Sequence, residues 1–369
     1  MKLRKLLSLL CAVALLLTLA ACGGTSDDTT DDTADTGDAG TTEEPLRVAL
    51  LLNGTLGDKS FNDSAADGME MIAQELSNVE TKVVEMTFDD TKWEPAVLDA
   101  CDEGYDIIIT GTWQMQEIIA RVAPEYPDTH FIVYDTAMDY SQGGYENVYS
   151  IEYKQNDGSF LAGVLAASMT QTGQIGFVGG MDNTVIYDFL VGYIQGAQTV
   201  KPDIKVASAF VGNFSARAKE LATSQFNMGA DLIFSCASTA GDGTVQAGRE
   251  LGKMVIGVDS DQAMVYQETD PETAQLIPTS VLKRVDMSLF QAVEAAQKGE
   301  LAWGTSVAVG IAENCIGLAE NEIYESVVPQ ETRDLVNSYI EQIQNGEIQV
   351  KSAFDMSNEE LLAFVDAAK

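Results

Sequence analysis

The chain has 369 residues, 46% of them hydrophobic, with 57 Asp and Glu against 21 Lys and Arg, a formal charge of −36. A chain this acidic has no basic patch with which to neutralise phosphates, which excludes nucleic-acid recognition, and its apolar share excludes wholesale disorder. One histidine and five scattered cysteines (Cys11, Cys22, Cys101, Cys236, Cys315) leave neither a disulfide scaffold nor a paired metal-ligand motif, and the length calls for two hydrophobic cores.

Lys2, Arg4 and Lys5 precede an apolar run of 16 residues, 6–21, too short to cross a bilayer. It ends in Leu19-Ala20-Ala21-Cys22, which resembles a bacterial lipobox, with Cys22 the acylated first residue of the mature chain. Residues 1–21 are therefore expected to be a lipoprotein signal peptide. Residues 22–45 follow as a linker holding eight acids among Thr, Gly and Ser, with no base or aromatic, so it reads as an extended spacer. The Gly and Glu of a calcium loop are not placed there. Without the three bases and eight acids before residue 46, the body still carries −31, which disfavours anionic ligands.

From residue 46 onward, β-branched runs alternate with helical patterns. Residues 46–53 form a continuous apolar strand, as for a parallel strand covered on both faces. Ser60 and Asp63 suggest a capping box opening a helix over 61–76. Strands follow at 81–86, 106–110 and 130–134, with helices at 94–102 and 115–122, an order that predicts a parallel sheet with right-handed crossovers. A second cycle begins after Tyr153, with helices at 160–169, 185–200, 216–228 and 243–251 and strands at 174–178, 204–210, 231–236 and 254–258. In helix 285–297, Val285, Leu289, Phe290, Val293 and Ala296 share one face. Amphipathic helices at 331–344 and 357–368 end the chain. The fold expected is α/β: two lobes with parallel sheets and a cleft between them. Lobe 1 takes 46–152 plus about 283–312; lobe 2 takes 153–282 plus about 313–369.

Open parallel sheets bind ligands beyond the carboxyl ends of their strands. There lie Asn53, the loop from Gly54 to Asn62, Trp113 after the third strand, Asp135 after the fourth, Gly241 in the second half, Asp259, and Lys283 closing a further apolar stretch. Asp135 and Asp259 stand at equivalent strand ends, where a carboxylate can accept both hydroxyls of a vicinal diol or serve as a turn residue. Lys283 can donate to a sugar oxygen or pair with an acid. Phe61 in the first helical turn can stack on a planar ligand or staple the lobe core, and Trp113 has the same two readings. Asn53 can read a base edge or simply turn the chain. Gly54 and Gly57 lack the third glycine of a dinucleotide fingerprint. No GxxxxGK[ST], GxSxG, HExxH or CxxC pattern occurs, so no cofactor or metal is implied. His130 reads as a strand-edge residue, and Cys101, Cys236 and Cys315 as buried thiols.

Four segments in order carry a family resemblance: Gly57-Asp58-Lys59-Ser60-Phe61-Asn62-Asp63-Ser64-Ala65, Gly176-Phe177-Val178-Gly179-Gly180-Met181, Gly257-Val258-Asp259-Ser260-Asp261-Gln262 and Thr279-Ser280-Val281-Leu282-Lys283-Arg284-Val285-Asp286. Together they resemble the basic membrane protein family of substrate-binding lipoproteins, which includes purine nucleoside receptors of ABC importers. The resemblance implies a type I periplasmic-binding-protein fold closing on a nucleoside. It puts Phe61 on the base, Asn53 on its edge, and Asp135, Asp259 and Lys283 on the ribose, with Asn62, Trp113 and Gly241 in the same loops. It also implies a membrane permease as partner, a lipid anchor at Cys22 on the extracytoplasmic face, and a monomer without cofactor or catalysis. A sugar receptor of the same fold and an exported nucleoside hydrolase or phosphorylase are the alternatives.

Overall fold

The computed structural model describes residues 44–212 and 214–369. The expected signal peptide, Cys22 and nearly all of the acidic linker lie outside the described residues. The body opens with β1 (Leu46–Leu52), whose Val48 to Leu52 are buried to 1% exposure or less, as the continuous apolar run requires. There follow α1 (Phe61–Glu75), β2 (Val79–Glu85), α2 (Trp93–Asp102), β3 (Ile107–Gly111), α3 (Gln116–Val122), β4 (His130–Tyr134) and β5 (Val148–Tyr153). The second half runs α4 (Gln155–Met169), β6 (Gln174–Gly179), α5 (Thr184–Val200), β7 (Lys205–Phe210), α6 (Ser215–Asn227), β8 (Leu232–Cys236), α7 (Gly241–Leu251), β9 (Met254–Asp259), α8 (Gln262–Thr269), α9 (Pro271–Ala274) and β10 (Ser280–Lys283). The chain ends with α10 (Val285–Gln297), β11 (Thr305–Val309), β12 (Ile316–Leu318), α11 (Glu322–Val327), α12 (Gln330–Gln344) and α13 (Asn358–Ala367).

Two sheets of six strands result. The first is parallel throughout, in the order β2-β1-β3-β4-β5-β11. The second runs β7-β6-β8-β9-β10-β12, with only the β10–β12 pair antiparallel. Each sheet reverses its winding beside its first strand, between β1 and β3 and between β6 and β8. That is the topological switch point at which an open α/β sheet forms a crevice. The chain passes between sheets three times, from β5 into α4, from β10 into α10 and from β11 into β12.

Seven elements, β5, β10, β11, β12, α8, α9 and α11, escape the sequence reading, β10 having shown only as an apolar stretch closed by Lys283. β12 is three residues long, and β11 is an edge strand with three of its five residues exposed, so neither shows a period. In α10, Val285, Leu289 and Val293 are fully buried, while Phe290 and Ala296 pack only half-buried at the core margin.

α4 and α5 form the closest helix pair of the second lobe, and glycine permits it. A Cβ on Gly192 would lie 2.2 Å from Asn156 O, and one on Gly196 would lie 2.0 Å from Phe160 O, both backbone atoms that cannot swing away. Gly196→Ala is expected to destabilise the protein by about 1–3 kcal/mol through overpacking. Urea unfolding checks this, and an unchanged midpoint would mean that the helices part without cost.

Candidate functional site

The loop after β1 is held by its own carboxylates. Asp58 accepts from the backbone N–H of Ser60 (3.0 Å), Asn62 (3.0 Å) and Asp63 (3.1 Å), and so caps α1. Asp63 turns the other way and accepts from Gly57 N (2.7 Å) and Lys59 N (2.8 Å). The capping box expected from Ser60 and Asp63 is therefore absent: the Ser60 side chain makes no cap. Its hydroxyl is free to reach across to the second lobe, where it donates to Asp259 Oδ2 at 2.5 Å. Ser238 Oγ reaches back from the second lobe to Asp58 Oδ2 at 2.9 Å, and Ser260 Oγ donates to Ser60 O at 3.3 Å. At the rim, Lys59 pairs with Asp242 at 3.5 Å and lies 5.0 Å from the Tyr266 ring centre. One loop of the first lobe is thus seated on the second.

Beside this seam a cleft of about 400 Å³ lies between the two switch points, within the range of small-molecule sites. From the first lobe Asn53, Phe61, Asn62, Trp113 and Asp135 line it; from the second, Asp259 does. Asn53 directly follows β1 and donates its Nδ2 to Thr112 Oγ1, just past β3, at 2.9 Å, which ties the ends of β1 and β3 together at the crevice. Asn62 lies over Gly54, where a Cβ would come within 2.7 Å of its amide nitrogen. Phe61 is half-buried with its ring 5.5 Å from that of Tyr134, so one face packs on the lobe and the rest remains for the cleft. Trp113, at 51% exposure, stands at the rim and is not a core staple.

Lys283 ends β10 and is 1% exposed. Its ammonium pairs with Asp135, so of the two acid-pairing and sugar-donating readings the pairing is present, though in the interior and not on an acidic surface. The rings of Tyr153, Phe189 and Phe61 surround it at 4.9, 5.5 and 5.6 Å. Gly241 is set back from the cleft: it starts α7 with its Cα facing Ser235, whose Oγ would meet a Cβ at 2.9 Å, and the wall is made by Ala237 to Ala240 ahead of it.

Thr112, Asp135, Ser238 and Asp259 all take positive φ, of 69°, 61°, 43° and 65°. Each sits at or just past the carboxyl end of a strand, in a conformation that costs a non-glycine residue roughly 1–3 kcal/mol and is held only by its surroundings. Burial pushes the carboxyls of Asp58, Asp135 and Asp259 up, and Asp259 reaches about 7. For Asp259 the Lys283 charge and the Ser60 hydroxyl pull the other way, while Asp58 and Asp135 add to the rise. Sequence reasoning overlooked the interlobe roles of Asp58, Ser60 and Ser238. An Asp two residues before a Ser at a helix start offers two competing caps, and that was the available signal. Phe88, Gln114, Met181 and Phe189 also line the cleft without any pattern that marks them.

A protein-family model described as ABC transporter substrate-binding protein PnrA-like matches residues 46–352. The chain belongs to this family. Among relatives of the PnrA-like chain, the CD4+ T-cell-stimulating antigen of Listeria monocytogenes is 29% identical over 348 residues, 90% of this chain and 94% of that one. The ABC transporter nucleoside-binding protein BmpA of Lactococcus lactis is 28% identical over 324 residues, covering 82% and 91%. A solved ABC transporter solute-binding protein from Aeropyrum pernix superposes with a TM-score of 0.73 at 26% identity, covering 88% of this chain and 99% of that one. The fold is the type I periplasmic-binding fold, two α/β lobes with parallel sheets. Family membership makes the chain a transporter's substrate-binding protein and sets the hydrolase alternative aside.

Because the folded state raises the Asp259 pKa from 3.8 to about 7, it binds a proton there that the unfolded chain has already lost. The contribution of Asp259 to stability therefore falls as pH rises through that window. Asp259→Asn, which can still accept from Ser60, is expected to raise the melting temperature relative to wild type at pH 8 and to lose that advantage near pH 4. Paired thermal melts measure this, and a variant less stable at pH 8 than at pH 4, relative to wild type, contradicts it.

Proposed function

We propose that this substrate-binding protein captures a nucleoside, with a purine base, by closure of its lobes, and delivers it to an ABC permease while tethered through acylated Cys22 outside the cell. The observation that carries the reading is one cleft holding both halves of the required chemistry. Phe61, Phe88, Trp113 and Phe189 offer aromatic surface, and Asp135 and Asp259 come from opposite lobes with the Lys283 ammonium behind Asp135. A planar base gains roughly 1 kcal/mol beyond burial from a well-placed ring, and ribose hydroxyls donate to carboxylates. In this reading Phe61 stacks on the base, Asn53 and Asn62 meet its edge, and Asp135, Asp259 and Lys283 hold the ribose. Trp113 closes the rim, and Gly241 has no contact role. The printed name of the Lactococcus relative, a nucleoside-binding protein, supports the same ligand class.

Closure follows from differential affinity: a ligand touching both lobes favours the state in which both are within reach. The bonds between Ser60 and Asp259 and between Asp58 and Ser238 belong to that state and lower the work left to the ligand. Among the described residues no helix is long and apolar enough to cross a membrane, so in this reading attachment falls to the lipid on Cys22.

A thermal-shift series with inosine, guanosine, cytidine, ribose and free bases tests the reading. A purine nucleoside at about 100 times its dissociation constant is expected to stabilise the protein by about 2.7 kcal/mol, with ribose alone inert. Phe61→Ala is expected to weaken nucleoside binding about tenfold or more. Binding of an uncharged ligand should change little between low and high salt. Stabilisation by pentoses but not nucleosides would give the site to sugars instead.

A further inference from the structure

Three cleft-lining side chains just past the carboxyl ends of β1 and β3 are bonded to one another. Asn53 Nδ2 donates to Thr112 Oγ1 at 2.9 Å and to Gln114 Oε1 at 3.4 Å, and Thr112 Oγ1 donates to the same Gln114 oxygen at 3.4 Å. The triangle uses both hydrogens of the Asn53 amide, the Thr112 hydroxyl proton and the Gln114 oxygen. It leaves over an acceptor, Asn53 Oδ1, and a donor, Gln114 Nε2, neither with a partner among the described residues. Asn53 is 8% exposed and Gln114 half-buried, yet neither free atom is sealed in the interior, so both are open to the cleft that their residues line.

The middle of the triangle is held against its own preference. Thr112 takes φ 69°, in the region that suits glycine, and a β-branched residue is among the least suited to it. Its backbone is pinned on both sides, the N–H donating to Tyr134 O at 2.8 Å and the C=O accepting from Met115 N at 3.1 Å. A glycine would make the same turn without strain, but it would not supply the hydroxyl that orients the Asn53 amide. On the second lobe's wall, Asn183 Oδ1 already accepts from Ile186 N at 3.0 Å, and the Ser238 hydroxyl is given to Asp58 at 2.9 Å. The free acceptor and donor of the first lobe have no such commitment.

We infer that Thr112 and Gln114 set the base specificity of the cleft: they hold the Asn53 amide with its oxygen towards the guest, and Asn53 Oδ1 and Gln114 Nε2 together take a base edge on which an N–H stands beside an acceptor. Purine nucleosides with an oxo or amino group on C6 have such an edge. Purine riboside, with nothing on C6, has only acceptors there. A site built around a hydrogen-bonding pair rejects a ligand that leaves the pair unmet, because its own buried polar groups then go unsatisfied. Thr112 is a positioning residue that acts through Asn53, and Gln114 both positions Asn53 and meets the guest. Resting on the nucleoside reading of the cleft, the pair narrows which bases qualify.

Calorimetric titration with inosine, guanosine, adenosine and purine riboside tests this, the tightest of the first three serving as reference. Wild type is expected to bind the reference about tenfold or more tighter than purine riboside. Thr112→Val and, separately, Gln114→Leu are expected to bring that ratio down to about threefold or less, mostly by weakening the reference. Asn53→Leu is expected to do the same, whereas Asn53→Asp, which keeps an acceptor and has no N–H, recovers most of the reference affinity. Thermal melts confirm that each variant folds, and half-buried Gln114 decides the matter should Thr112→Val fail to do so. If wild type binds none of the four, the nucleoside reading itself is lost. If the reference binds but its ratio to purine riboside is unmoved in the Thr112 and Gln114 variants, or if Asn53→Asp is no better than Asn53→Leu, the specificity assignment alone is overturned and the triangle is a tie between strand ends.

Discussion

The arrangement of this protein depends on one ammonium, the only buried one among the described residues. Lys283 ends β10 at the second of the three passages between lobes, and its charge is 1% exposed among the rings of Tyr153, Phe189 and Phe61. A lone charge at that depth is prohibitive, and a pair is tolerated only with good geometry and further polar contacts. Asp135 supplies the pair from the other lobe. The side chain therefore does two things: it fixes the lobes' relative position at the crossing, and its charge opposes the upward push of burial on the carboxyls of Asp135 and Asp259. Tyr153, on the first crossing, adds its hydroxyl to Ser288 Oγ at 2.6 Å, so the crossings are stitched to α10 as well as to each other.

That ammonium is outnumbered. Asp58, Asp135 and Asp259 interact with it or with one another, and burial raises all three carboxyls. The backbone beneath them is also under tension, since Asp135 and Asp259 occupy left-handed φ. A glycine in either place would relieve the backbone but lose the carboxylate. Such a residue persists where the rest of the fold over-determines its conformation, and here a parallel strand on one side and a cleft-lining loop on the other do so. The positions are equivalent in the two halves, which is what a duplicated βαβ layout imposes: each fourth strand in chain order delivers an acid to the cleft.

Much of this was legible in the residues. A continuous apolar run at β1 and the alternation of strand and helix patterns after it announced parallel strands, and the strand-end rule then pointed to Asn53, Trp113, Asp135 and Asp259 without any contact being known. The hidden parts are those in which two segments far apart in the chain decide the outcome. Ser60 reads as a cap because local statistics favour it there, but Asp58 takes the cap and leaves Ser60 for Asp259, 199 residues away. β11 and β12 are defined by the strands they pair with and not by their own period. Gly241 belongs to a loop that does line the cleft, yet a local turn puts Ala240 at the wall and the glycine behind it.

The sign of the body's charge and the chemistry of the seam answer the same requirement. A body carrying −31 from residue 46 onward repels anions before they reach the cleft, and the acids within repel them again. A neutral guest meets neither barrier, and its recognition must come from stacking and hydrogen bonds, which act only at contact. Contact on both sides exists only when the lobes are together. In the proposed closure, the seam between Asp58, Ser60, Ser238 and Asp259 would supply part of the closed state's stability from the protein itself, through bonds that no guest has to make. If that contribution were too large the empty lobes would stay shut, and a transporter would meet closed receptors carrying nothing. In the closure proposed above, each hydroxyl meets a carboxylate, Asp58 or Asp259, whose charged form burial disfavours.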